Sequence, residues 1–208
     1  GVWFVSVGSD TVEHMFDVIR DVTTPDRSLP VTTPGPHLEP ICDPDTALDV
    51  IPAGLDGLEP GPGLAGLLAS VEGRELSGYD RVVVLRAHQR MEAHYAAKSR
   101  ADITALVEVF EESDDTAGDR LWPVEAAAAE IRAALRLTRR SADIEVGLAL
   151  ELCRRLPAVF EALVTGRIDM RRARVLVDGV AHLDDVTARD VIDTIIDDAC
   201  GFTTGQLR

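Results

Sequence analysis

The sequence predicts an all-α fold: two long antiparallel helices with shorter helices on their flank, preceded by a Pro/Gly-rich irregular segment. Three observations carry this. From Gly63 onward apolar residues recur at three- and four-residue steps almost without interruption, as in helices with one buried face. Nine of the eleven prolines lie between Pro25 and Pro62, in a run with few long apolar side chains and no sustained period, which cannot recover its ordering entropy by burial. Nothing in the pattern resembles a parallel sheet or an internal repeat. The chain is therefore divided into a short N-terminal strand/helix segment (1–24), a Pro-rich linker (25–62) and a helical domain (63–208).

Each element has its own signal. Val2–Val7 is β-prone, and Val12, Met15, Phe16 and Ile19 behind Thr11 fit a short amphipathic helix over 10–22. In the linker, Asp43 and Pro44 suit the N-cap and first position of a helical turn. Leu64, Leu67, Leu68 and Val71 share a face ahead of Gly73. Ser77 caps the next helix, with Asp80 three residues on as a variant capping box. That helix, about 30 residues long, carries Val83, Val84, Ala87, Met91, Tyr95, Ile103, Leu106 and Val109 inward. Residues 113–120 break it, and Trp122-Pro123 restarts a second long helix running to Leu156. Its stripe is Ala127, Ile131, Leu135, Ala142, Val146, Ala149, Cys153 and Leu156, and Pro157 ends it. A short helix stops at Gly166, and Asp169 opens another through Val180. Thr187 and Asp190 are the expected caps of a last helix holding Val191, Ile192, Ile195, Ile196 and Ala199.

Composition excludes several function classes. The 208 residues carry 36 acids and 21 Lys/Arg, a net charge of −15, so the surface as a whole repels phosphate backbones and any nucleic-acid contact has to be local. No apolar run reaches the ~18–20 residues that cross a bilayer, and the opening residues lack the basic start of a signal peptide, which predicts a cytoplasmic chain with no membrane partner. Cys42, Cys153 and Cys200 are odd in number and far apart, so neither a disulfide framework nor a zinc site is indicated, and Cys153 is expected in a core. His88 and His94, six residues apart on one helix, point in different directions and cannot share a metal. Phosphate loops, nucleophile elbows and dinucleotide fingerprints are absent. The acidic pairs Glu111-Glu112, Asp114-Asp115, Asp184-Asp185 and Asp197-Asp198 read as solvated helix ends rather than metal ligands. No catalytic residue, metal ligand or cofactor is therefore assigned to this chain.

One local asymmetry stands out against the acidic background: residues 129–175 contain ten Arg and six acids, a net +4. Within it Arg139, Arg140, Arg154, Arg155, Arg167, Arg171, Arg172 and Arg174 are candidate phosphate contacts through planar, bidentate guanidinium groups. The competing expectation is that they pair with the acidic excess across helix interfaces, since aromatic interleaving and base-reading signatures are missing.

The same residues carry a resemblance. From Leu64 to Arg208 the chain resembles the helical domain of unknown function 222 of the 13E12 repeat family, the N-terminal part of bacterial HNH-endonuclease-like proteins. The motifs are AAEIRAALRLTRRSADIEVGLALELCRRLPAVFEALVTGRIDMRRARVLVDGVAHLDD and the closing TTGQLR. The resemblance implies an accessory module whose nuclease chemistry, with its divalent metal, belongs to a C-terminal HNH module missing from this sequence. It also implies that the domain stops short of its usual end. Two functions follow as expectations. The first is a non-catalytic accessory domain of an HNH-endonuclease-like protein, positioning DNA through an Arg-rich hairpin around Leu156–Arg174. The second is a protein-interaction or self-association module, binding a protein partner or forming a homo-oligomer without nucleic acid.

Overall fold

The computed structural model describes residues 51, 54–71, 75–113 and 122–208. The expected N-terminal strand and helix, the Asp43-Pro44 turn, Cys42 and Asp114-Asp115 lie outside the described residues. Those that are described contain seven α-helices and no strand: α1 (Pro62–Val71), α2 (Gly78–Ser113), α3 (Trp122–Leu135), α4 (Arg139–Leu150), α5 (Pro157–Val164), α6 (Met170–Gly179) and α7 (Asp185–Ala199). A 3-10 turn, Leu55–Gly57, precedes α1, and a π-helical segment, Glu151–Arg155, follows α4.

Helix α2 is the spine, and its start is built by the Ser77–Asp80 pair. The Asp80 amide donates to Ser77 Oγ at 3.1 Å, while the Ser77 amide and hydroxyl donate to Asp80 Oδ2 at 3.3 and 2.8 Å. The capping box read from the sequence is thus closed in both directions, with Asp80 fully buried. The 36 residues of α2 pack against α1, α3, α4, α5 and the π segment. Small residues make this possible: Ala87, Ala93 and Ala97 are buried along its contact stripe, so neighbouring backbones approach closely. At its N-terminal half α2 closes one core with Leu55, Leu64, Leu68, Val83, Ala87 and Met91. Leu55 comes from the Pro-rich stretch, whose described end is docked on α2 by the Arg90 guanidinium donating to the Leu55 carbonyl at 2.7 Å. Toward its C-terminal half Ile103 and Val107 meet Ala127, Ala128 and Ile131 of α3 and Ala142, Val146 and Ala149 of α4 in a second core.

The second long helix expected from the sequence is divided. Helix α3 runs antiparallel to α2, with Phe110 edge-on to Trp122 and Ile131 reaching Ile103. It ends at Leu135 because Arg136 turns into the left-handed region (φ 54°) and the Leu137 amide donates back to the Arg132 carbonyl at 3.1 Å. Thr138 then caps α4, its hydroxyl oxygen accepting from the Ser141 amide at 3.1 Å. Pairing of Arg100 with Glu145, and of Glu108 and Glu111 with Arg154, shows that α4 returns in the same direction as α2. The fold-back carries Leu135 out of the stripe, to 58% exposed. Tyr95 and Val109 of α2, also expected inward, are exposed at 61% and 58%, because the helix is lined by neighbours on a narrower face than the apolar pattern suggested. In the π segment the Leu156 amide reaches the Glu151 carbonyl at 2.8 Å, which rotates Leu152 into the core and leaves Cys153 half-buried. The stop before Pro157 is where the sequence placed it.

The remaining helices begin and end on recognisable caps. Asp169 accepts from the Arg172 amide and starts α6. The cap of α7 is Asp184 rather than Thr187 or Asp190: its carboxylate accepts from the Val186 and Thr187 amides at 3.1 Å and from the Thr187 hydroxyl at 2.7 Å. Gly166, at φ +71°, turns the chain from α5 toward α6, and a Cβ there would sit 2.8 Å from the Arg90 Cβ. Gly166→Ala is expected to lose about 1–3 kcal/mol of unfolding free energy from strain and overlap together, read as a lower urea midpoint at unchanged slope.

Candidate functional site

The helices distribute the eight candidate arginines among different partners. Arg154 leaves the π segment toward α2 and forms a bidentate pair with Glu111, at 2.9 and 2.8 Å, with Glu108 at 3.5 Å. Arg155, only 13% exposed, uses every face of its guanidinium: Glu151 at 2.8 Å, Asp185 at 2.9 Å, and the Val180 and Leu183 carbonyls at 3.1 and 2.6 Å. Arg174 reaches across to Glu145 of α4 at 3.0 Å, and Arg100 of α2 meets the same carboxylate from the other side. Arg167 pairs with Asp197 at 2.9 Å. Arg172 donates through Nε to the Phe202 carbonyl at 2.7 Å and lies 3.6 Å from Asp169.

Five of the eight therefore bind the protein to itself, joining the π segment, α6 and the α5–α6 turn to α2, α4, α7 and the C-terminal residues. The Leu156–Arg174 hairpin does not present them as one face. Arg189, singled out by no pattern, reinforces this arrangement by donating to the Arg155 and Arg154 carbonyls at 2.9 and 3.2 Å. Its partners are backbone oxygens at a helix end, which leave no mark in sequence spacing.

Arg139, Arg140 and Arg171 are exposed and have no carboxylate partner among the described residues. Arg139 and Arg140 open α4, and two further unpaired, exposed arginines stand beside them: Arg132 in the last turn of α3 and Arg136 in the left-handed turn. Residues 132–140 contain these four guanidinium groups and no acid. Arg139 and Arg140 sit at a helix N-terminus, whose free amides add positive potential. The α3–α4 corner is thus a cationic projection on an acidic protein, held out by the same fold-back that divides the second helix. Arg132 and Arg136 were counted in the sequence asymmetry but not singled out. The acid-free run was the available signal.

The other reactive groups are structural. His94 Nδ1 donates to the Val164 carbonyl at 2.8 Å, and His88 is exposed on a different side of α2. Burial pushes the Cys153 and Cys200 thiols above their ordinary value, so neither is an activated thiolate. Among the described residues no three His, Cys, Asp or Glu side chains converge as metal ligands, and no helix is long and apolar enough to cross a membrane.

A family model described as "Domain of unknown function (DUF222)" matches residues 86–201, from the middle of the first core to the end of α7. No curated protein and no solved structure matches the chain.

The clamps and caps have a pH signature. Hydrogen bonds from Arg154 hold the Glu111 carboxyl below its ordinary 4.5, and those from Thr187 hold Asp184 below its ordinary 3.8. A folded pKa below the unfolded one favours the ionised form in the native state, so this stabilisation is complete above the ordinary values and disappears as pH falls through the lowered ones. Glu111→Gln is expected to lower the urea midpoint at about pH 7 and to differ progressively less from the parent protein as pH falls through the lowered Glu111 value, where the parent carboxyl also loses its charge.

Proposed function

The chain belongs to the DUF222 family, and on that footing we propose that it is a non-catalytic helical accessory domain of an HNH-endonuclease-like protein that engages DNA phosphates at the α3–α4 corner. One observation carries the reading: Arg132, Arg136, Arg139 and Arg140 project without carboxylate partners among the described residues, while the arginines of the π segment and the hairpin, Arg171 excepted, are spent on intramolecular pairs. Guanidinium groups on a convex corner suit sequence-independent backbone contact, which positions a duplex without reading it. The acidic remainder would keep that contact confined to the corner and orient the protein on the polyanion. Chemistry on the DNA belongs, in this reading, to an HNH module and its metal.

A second reading is favoured by a specific observation. Tyr79, Val82 and Leu85 follow one another at three-residue steps on α2 and are 38%, 43% and 67% exposed. Such a strip is a candidate surface for self-association or for a protein partner.

Titration of a fluorescent duplex across a salt series separates the two. The DNA reading expects affinity that falls steeply with salt, and Arg139→Glu with Arg140→Glu reducing both the affinity and, by about two, the log–log salt slope. Arg171→Glu, on the hairpin, is expected to leave both unchanged. Absence of binding at ~50 mM salt overturns the DNA reading. A dimeric mass that Leu85→Asp converts to monomer would then support self-association.

A further inference from the structure

We propose that the cleft between α2 and the α5–α6 turn is a binding site for one tetrahedral phosphate group, as inorganic phosphate or as the head of a phosphomonoester. The cleft measures about 200 Å³ and is lined by Arg86, Gln89 and Arg90 from α2, Gly166 and Asp169 from the turn, and Arg172 from α6. Three arginine side chains thus line it from two helices that the turn brings together. Nothing in the DNA reading requires this site.

The acids opposing these arginines are held loosely. Asp56 lies 3.7 Å from both Arg86 and Arg90, and Asp169 lies 3.6 Å from Arg172, beyond hydrogen-bond distance. The Arg154–Glu111 clamp, at 2.8 and 2.9 Å, shows what a saturated pair in the same protein looks like. Arg86, Arg90 and Arg172 against Asp56 and Asp169 leave a net positive charge in a chain of −15. Arg90 is fixed in the wall by its terminal nitrogen, which donates to the Leu55 carbonyl at 2.7 Å. Gly166 completes the wall, because only a residue without Cβ lets the turn lie directly on the Arg90 stem.

The geometry selects the ligand. Arginine side chains lining the cleft from two helices match a tetrahedral oxyanion with three or four acceptor oxygens, whereas a planar carboxylate offers two. A volume of about 200 Å³ admits a phosphate group but is smaller than the pockets that enclose drug-sized ligands, so the remainder of a phosphomonoester would lie outside.

The test is an NMR titration of the full chain, without nucleic acid, using inorganic phosphate and phenyl phosphate at fixed ionic strength, with acetate as control. The expected result is a saturable shift of the Gln89 and Gly166 amides with phosphate and not with acetate. Saturation by both phosphates indicates a general phosphate site, and by inorganic phosphate alone a site too enclosed for esters. Arg86→Gln, at a side chain 66% exposed and outside the core, is expected to weaken affinity about tenfold, the scale of one charge-assisted hydrogen bond. Gln89→Glu places a carboxylate on the exposed rim and is expected to abolish binding. Shifts that do not saturate, an equal response to acetate, or affinity unchanged in both folded variants would overturn the proposal. A loss of duplex binding in Arg139→Glu with Arg140→Glu that spares phosphate binding would show the two sites to be separate.

Discussion

The described structure depends on burying one stripe of a 36-residue helix with side chains small enough for several neighbours to share it. A single helix this long gains little from propensity alone, so its stability is tertiary. Ala87, Ala93 and Ala97 let backbones approach where larger residues would hold them apart, and Val107 anchors the far end with no exposed surface. A straight partner helix from Pro123 to Leu156 would cover the stripe only once. Folding it at Arg136 brings both α3 and α4 into one core with Ile103 and Val107. The left-handed arginine, costing roughly 1–2 kcal/mol, is offset by that second layer and by Leu137, which packs against it.

This explains which parts of the fold were legible. Helix starts with a side-chain acceptor three residues ahead of a free amide were readable: Ser77 with Asp80, and Asp169. So were chain breaks enforced by proline or glycine, at Leu156-Pro157 and Gly166. The break at Arg136 was not, because its left-handed turn is made by a residue that carries no turn preference, and the apolar period runs across it undisturbed. Thr187 and Asp190 fit the local pattern of a cap, but the helix begins earlier, where the Asp184 carboxylate accepts from the Val186 and Thr187 amides. Exposure of Tyr95, Val109 and Leu135 was likewise invisible, since periodicity reports that a face exists and not how many neighbours cover it.

The candidate site was legible as composition and illegible as geometry. A surplus of arginine between Arg132 and Arg174 could be counted, but whether a guanidinium is free depends on carboxylates 29 to 45 residues away in sequence, as with Glu145 for Arg174 and for Arg100. An acidic chain has many such acceptors. It uses most of the hairpin arginines to cross-link helices, Arg155 above all, whose four oxygen partners tie the π segment to the start of α7. What remains unpaired is then informative, because in a protein with this excess of acid an unpartnered guanidinium has escaped many opportunities for pairing.

The two cationic features left over differ in kind, and the difference follows from where they sit. At the α3–α4 corner the groups are convex and hydrated. Each acts nearly alone, and at physiological ionic strength a charge more than about 8 Å away is screened, so attraction there grows only with the number of phosphates met in succession. In the α2 cleft Arg90 is largely removed from water, and Arg172 is anchored by the Phe202 carbonyl, so little order remains to be lost on binding. Screening is weaker in such a concavity and a single anion can engage several donors at once. A corner of this type is suited to holding a polymer loosely in many registers, and a cleft of this type to holding one group in one place. The fold produces both from one constraint: covering α2 twice forces the turn that projects the corner, and covering it again with α5 brings Gly166 and Arg172 down onto Arg90.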